Sequence, residues 1–300
     1  MIDLATIRKY GNVEFLARQL VEGFITGLHK SPYHGFSVEF AEHRLYNNGE
    51  STRYIDWKAY GKTDRLYTKR YEEETNLRCQ ILIDNSSSMY YPTNSMGKIN
   101  FSILAAAALA YLLQKQRDAV GLTTFAEEIE IATPIKSTPG HVHHIFLQLE
   151  QLLKTSPKEK KTGVSKILHL LADKIHKRSL VIIFSDMFEN ITDAETVFSA
   201  LQHMKHNNHE VLLFHVFDSK TERDFDFQDK PYVFKDLESG EKIKVQASQV
   251  RDSYKQAIDQ YFTNLKLKAG QYKIDFIEAD INLGFDQIMQ AYLIKRGKMR

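Results

Sequence analysis

The sequence predicts an α/β protein: a doubly wound, mainly parallel sheet, preceded by an N-terminal helix and a small β-rich extension. Short apolar runs at residues 79–83, 119–125, 180–184, 211–216 and 272–277 alternate with segments of helical spacing, the rhythm of strands joined by crossover helices. The run Leu180-Val181-Ile182-Ile183-Phe184 is apolar at every position, the texture of a strand buried on both faces. The 300 residues are 43% hydrophobic and 26% charged, ordinary globular values that exclude a disordered or low-complexity chain.

A first helix is expected over residues 4–28, with Val13, Leu16, Leu20, Phe24 and Leu28 near helical spacing. Residues 35–78 change texture to short Tyr-, Phe- and Val-bearing runs with an Asn47-Asn48-Gly49 turn signal, which predicts hairpins and irregular strands rather than helix. The chain therefore divides at 1–78, helix and β-rich extension, and 79–300, the α/β domain. Within the second part, strands at 79–83, 119–125, about 129–131, 180–184, 211–216 and 272–277 are separated by helices at 99–116, 142–153, 165–175, 192–206, 250–267 and 285–295. A charged loop interrupts this at 154–161, and residues 226–246 read as a β-hairpin turning at Glu238-Ser239-Gly240-Glu241.

Forty basic against 38 acidic side chains leave a charge of +2, which gives no electrostatic case for a nucleic-acid partner. The single cysteine, Cys79, excludes an intrachain disulfide and any multi-cysteine zinc module and fits a reducing compartment. Its place at the start of a buried strand makes it a core residue. The longest apolar stretch, 101–113, falls short of the ~20 residues a transmembrane helix needs, and the first residues lack the pattern of a secretory signal. The expectation is a soluble cytoplasmic protein without a transmembrane segment.

Chemistry concentrates in Ile81-Leu82-Ile83-Asp84-Asn85-Ser86-Ser87-Ser88-Met89, an aspartate closing a buried strand with hydroxyls two and four residues on. Ligand sites of open α/β sheets lie beyond the carboxyl ends of the strands. One carboxylate and two hydroxyls are hard oxygen donors suited to Mg²⁺. A second strand ends in the same manner at Phe184-Ser185-Asp186, and neighbouring strands would set Asp84 and Asp186 across one crevice. Thr162, ahead of the helix feeding that strand, offers another hydroxyl.

This Asp-x-Ser-x-Ser, Thr, Ser-Asp set resembles the metal-ion-dependent adhesion site of von Willebrand factor A domains, from residue 79 to about 295. The resemblance implies Ser86, Ser88 and Thr162 as direct ligands, Asp84 and Asp186 completing the shell, and Mg²⁺ (otherwise Mn²⁺ or Ca²⁺) as the cation. The last coordination position then falls to an acidic side chain of a protein partner. A cation held mostly by neutral hydroxyls stays electrophilic enough to recruit one. A second likeness lies in Arg53-Tyr54-Ile55-Asp56-Trp57-Lys58, Lys62-Thr63-Asp64-Arg65-Leu66 and Lys69-Arg70-Tyr71-Glu72-Glu73-Glu74. That order is similar to the bacterial domain-of-unknown-function family fifty-eight, in which such an element precedes a von Willebrand A-like domain. It implies an adaptor- or chaperone-type partner of a MoxR-type AAA+ ATPase, or of that enzyme's client.

Other readings fare worse. Gly61-Lys62-Thr63 lacks the glycine five residues earlier that a phosphate loop needs; Asp56 stands there instead. Aspartyl phosphoryl-transfer chemistry needs a carboxylate where Ser86 stands, and no Gly-x-Ser-x-Gly elbow exists. His141, His143 and His144 read as a polar helix start, and Trp57 as an indole filling a gap between the β element and the sheet. Metal-dependent protein–protein interaction without catalysis is the expected function, with a metal-dependent hydrolase at the same Asp/Ser site and a metal-free interaction scaffold as alternatives.

Overall fold

The computed structural model describes residues 12–29, 43–45, 57–69, 77–93, 96–154, 163–187, 194–237 and 240–299. The chain forms two compact units, residues 1–25 with 77–300, and residues 26–76.

Helix α1 spans Val13–His29. Asn12 caps it, its Oδ1 accepting from the Phe15 N–H at 2.8 Å; residues 4–11 of the expected first helix lie outside the described residues. Val13, Leu16, Ala17, Val21 and Phe24 form its buried stripe, and the Val13 N–H donates to Glu150 Oε1 at 3.0 Å.

In the smaller unit, strand β1 (His43–Leu45) pairs antiparallel with β2 (Tyr67–Lys69). Between them lies a helix the sequence reading did not anticipate, α2 (Trp57–Thr63). Its short Trp-Lys-Ala-Tyr-Gly-Lys-Thr run has too few apolar positions to show a helical period, and Gly61 reads as a breaker. Trp57 is 63% exposed and meets Tyr60 edge-on at 6.2 Å. Gly61-Lys62-Thr63 closes this exposed helix, not a strand-to-helix turn, which removes the structural context of a phosphate loop. Residues 53–56 and 70–74, which also carry the family likeness, lie outside the described residues.

The larger unit is built on six strands: β3 (Arg78–Asp84), β4 (Ala119–Phe125), β5 (Ile129–Ala132), β6 (Leu180–Ser185), β7 (Glu210–Phe217) and β10 (Asp275–Asp280). Their order across the sheet is β10-β7-β6-β3-β4-β5, parallel throughout except for the antiparallel edge strand β5. Six successive residues of β6 and the last six of β3 are buried, as both-face coverage of a parallel sheet requires. Helices α5 (Val164–Lys174), α6 (Ala194–His206) and α7 (Ala247–Gln271) join Leu82, Val181, Ile183, Val211 and Leu213 in one apolar cluster. Helix α3 (Lys98–Lys115) packs against β3, β4 and β7, and α8 (Asp286–Lys298) against β7 and β10. Ala105, Ala106, Ala107, Ala108 and Ala110 let α3 lie close enough to be buried nearly all round. Helix α4 (Pro139–Lys154) packs on α3. This is the doubly wound, mainly parallel α/β architecture that the strand–helix alternation predicts.

The chain leaves β3 through α3 to β4 on one side, and returns to place β6 on the other. The β3/β6 boundary is therefore the point where strand order reverses, and a crevice opens there beyond the strand ends. The expected hairpin is present as β8 (Pro231–Lys235) and β9 (Lys242–Gln246), with Tyr232 opposite Val245 and Phe234 opposite Ile243. Gly240 takes φ +76° in its turn, a conformation that suits glycine. Phe234 stands 5.7 Å from Phe225, which lies 4.7 Å from Tyr254 of α7, so the hairpin is anchored through aromatic rings.

Candidate functional site

Asp84 closes β3 and is fully buried. The chain turns out of the sheet at Asn85, whose N–H donates to Phe125 O at 2.7 Å. The turn is fixed by the carboxylate itself: Asp84 Oδ1 accepts from the Ser86 N–H at 2.9 Å. Asp84 Oδ2 accepts from Ser185 Oγ at 2.7 Å, which couples the ends of the neighbouring strands β3 and β6. Ser185 Oγ in turn accepts from the Met187 N–H at 3.0 Å.

A single 3₁₀ turn, Ser87–Tyr90, follows, with Ser86 at its N-cap position. The Ser86 side chain makes no capping bond; its Oγ instead lies 3.1 Å from Ser88 Oγ. Serines in such a loop commonly serve as helix caps. Here the cap is unused and the two hydroxyls converge. Adjacent oxygens on an octahedral Mg²⁺, each at 2.0–2.1 Å, stand about 2.9 Å apart. The serine pair, hydrogen-bonded to each other at 3.1 Å, lies near that spacing.

Asp186, also buried, follows β6 directly and faces a different environment. Its Oδ2 accepts from Lys98 Nζ at 2.8 Å, and the same ammonium donates to Glu222 Oε1 at 2.5 Å. Lys98 is the first residue of α3, and Glu222 belongs to a π-helical turn, Ser219–Arg223, after β7. The Asp186 backbone carbonyl accepts from His215 Nε2 at 2.9 Å, while the buried His215 Nδ1 has no hydrogen-bond partner among the described residues.

Burial pushes the Asp84 carboxyl well above the usual carboxylate range, and the charge of Asp186 adds to this; bonds from Ser185 and Ser86 pull the other way. Burial alone would lower the Lys98 ammonium, but Asp186 and Glu222 more than reverse that and raise it, so the lysine is charged. Burial lowers His215 to about 4, with Asp186 opposing and Lys98 reinforcing, so its imidazole is neutral.

Four of the five expected site residues, Asp84, Ser86, Ser88 and Asp186, thus come to the end of two adjacent strands. Thr162 lies outside the described residues. Among the described residues no set of three or more His, Cys, Asp or Glu side chains is grouped to hold a metal ion, so a site here depends on the serine hydroxyls. The histidines of α4 are apart from it, His141 Nε2 against Val120 O and His143 Nδ1 against Glu14 Oε2, both at 3.0 Å. Sequence reasoning missed Lys98, Glu222 and the bridging role of Ser185. The available signals were a lysine beside Gly97 at a helix start and a serine paired with Asp186; Glu222 gave none.

The strand order and the polar crevice at the reversal point define a doubly wound, mainly parallel α/β domain with a candidate site at its switch point. The chain belongs to the family described as "Protein of unknown function DUF58", whose pattern it matches over residues 42–262. Among curated proteins it is similar to the uncharacterized protein Rv1480 of Mycobacterium tuberculosis (strain ATCC 25618 / H37Rv), 23% identical over 229 residues, covering 76% of this chain and 69% of the relative. Similar solved structures include the conserved hypothetical protein BatB from Bacteroides thetaiotaomicron, 13% identical, covering 75% of this chain and 100% of that one with a TM-score of 0.45. Another is an aerotolerance-related membrane protein from Bacteroides fragilis NCTC 9343, 14% identical, covering 73% and 97%, with a TM-score of 0.42. The SpRpn10 VWA domain is 17% identical, covering 47% and 76%, with a TM-score of 0.34. Among the described residues of this chain no helix is long and apolar enough to cross a membrane.

Proposed function

We propose that this protein is a metal-dependent protein–protein interaction module, binding rather than catalytic. Mg²⁺ is held by the Ser86 and Ser88 hydroxyls with Asp84 and Asp186 completing or backing the shell, and an acidic side chain of a partner closes it. The observation that carries the reading is the convergence of the two hydroxyls at 3.1 Å above a buried aspartate, with the Ser86 capping role unused. The partner in this reading is a MoxR-type AAA+ ATPase or its client, as the sequence resemblance implies, and the single buried cysteine supports a cytoplasmic setting.

A second reading is a metal-free interaction scaffold. It is favoured by the Lys98 ammonium, which already compensates the charge of Asp186. Calorimetric titration of Mg²⁺ and Mn²⁺ into chelator-stripped protein separates the two. The metal reading expects saturable binding that is lost in the Asp84→Ala, Ser86→Ala double variant. Binding that persists unchanged in the variant, or no saturable binding by folded wild type, would favour the scaffold.

A further inference from the structure

Lys98 has no local reason to be where it is. A cation at the first position of a helix opposes the helix dipole, and a lysine only 1% exposed has lost its hydration. Its surroundings nonetheless hold it firmly. Gly97 turns the chain with φ +71°, and a Cβ there would meet Pro92 O at 3.4 Å. The Lys98 N–H donates to Tyr91 O at 3.1 Å, tying the lysine backbone to the end of the serine-bearing turn. The ammonium then reaches two carboxylates that come from different elements.

Those two partners are not equivalent. Glu222 is fixed independently of Lys98: its Oε2 accepts from the Asp218 N–H at 2.7 Å, and its backbone carbonyl accepts from Tyr254 OH at 2.7 Å. Asp186 belongs to the strand-end crevice with Asp84 and the serines. A carboxylate engaged by an ammonium is a poorer ligand for a divalent cation, and two cations in one buried site repel. Glu222, from the turn after β7, gives the ammonium a second carboxylate besides Asp186.

We infer that Lys98 is a built-in competitor for the metal: its ammonium holds Asp186 while the site is free of divalent cation, and keeps Glu222 when Asp186 turns to the metal. Lys98 and Glu222 are thus positioning residues that set how strongly the site takes a cation. This rests on the metal reading proposed above and adds the control of affinity.

The test is titration of Mn²⁺ into chelator-stripped wild type, Lys98→Met, Glu222→Gln and the double variant, with thermal unfolding of each in chelator. Lys98→Met is expected to bind Mn²⁺ at least tenfold more tightly while its metal-free form melts lower, because Asp186 and Glu222 are left buried without their counter-charge. Glu222→Gln is expected to bind several-fold more weakly, since Lys98 then loses the carboxylate that competes with Asp186 for its ammonium. In the double variant the effect of Glu222→Gln should disappear, because it acts through the lysine. If wild type binds saturably but Lys98→Met binds equally or more weakly, or if Glu222→Gln weakens binding as much without Lys98 as with it, the inference is overturned and the metal reading stands. If none of the four binds, the metal reading fails and this inference fails with it. Should Lys98→Met not fold, Glu222→Gln with unchanged or tighter binding overturns the inference, and weaker binding supports it.

Discussion

Ser185→Ala removes one hydroxyl and leaves the sheet intact, yet its effect should depend on pH. Ser185 Oγ donates to Asp84 Oδ2 at 2.7 Å and accepts from the Met187 N–H at 3.0 Å. Losing the acceptor orphans a buried N–H, a cost of about 1 kcal/mol at any pH. Losing the donor matters when Asp84 is ionised, because a hydrogen bond to a charged group contributes roughly 1.5–3 kcal/mol. Burial raises Asp84 from 3.8 to about 7, so its ionisation opposes folding increasingly as pH rises through that range. Ser185 restrains the rise, and without it the Asp84 value climbs further and the penalty grows. Urea unfolding in chelator should show Ser185→Ala destabilised by roughly 1 kcal/mol at pH 5.5 and about 2–3 kcal/mol at pH 8.5, the added penalty being capped by the cost of keeping Asp84 protonated at about 1.4 kcal/mol per pH unit above 7. In an Asp84→Asn background the pH dependence of that penalty should vanish. An equal penalty at both pH values in the Asp84 protein would refute this account of the strand-end carboxylate.

Gly121→Ala should destabilise by about 1–3 kcal/mol in the same unfolding assay. An added Cβ would lie 2.4 Å from Gln80 Oε1 and 3.1 Å from Ile135 Cγ1, and Gln80 is itself held by its bond to Thr123 Oγ1. Cys79 should resist a thiol reagent in the native state and react fully in denaturant, since burial raises its thiol and seals it from solvent. Rapid native labelling would mean that β3 opens far more readily than its packing implies.

The sheet was legible because each of its central strands is a short apolar run between helical segments, and β6 is apolar throughout. Asp84, Ser86, Ser88 and Asp186 were legible because strand ends are marked by the first polar residue after such a run. Lys98 was not, because a lysine at a helix start looks like solvent-facing punctuation. Its two partners are 88 and 124 residues away in the chain, and only the folded sheet brings them together. Glu222 sits among Thr, Arg and Asp in what reads as a polar loop, and its burial follows from α7 packing behind it through Tyr254. Helix α2 was missed since seven residues hold barely two turns, too few for periodicity to emerge.

The division of the chain into residues 26–76 and the remainder has a practical corollary. The smaller unit is an insertion with two tethers, not a pendant on a single linker, because the polypeptide enters it from α1 and leaves it into β3. Trimming the chain back to residue 77 would therefore remove more than the inserted piece: it would also strip away Val13, Leu16, Val21 and Phe24 of α1. At roughly 1.5–3 kcal/mol for each large apolar side chain buried, that loss rivals the ~5–15 kcal/mol that holds a typical domain folded. Excision joining residue 25 to residue 77 through a flexible linker keeps the buried stripe of α1 while removing its last turn, and it would report what the inserted residues contribute to recognition.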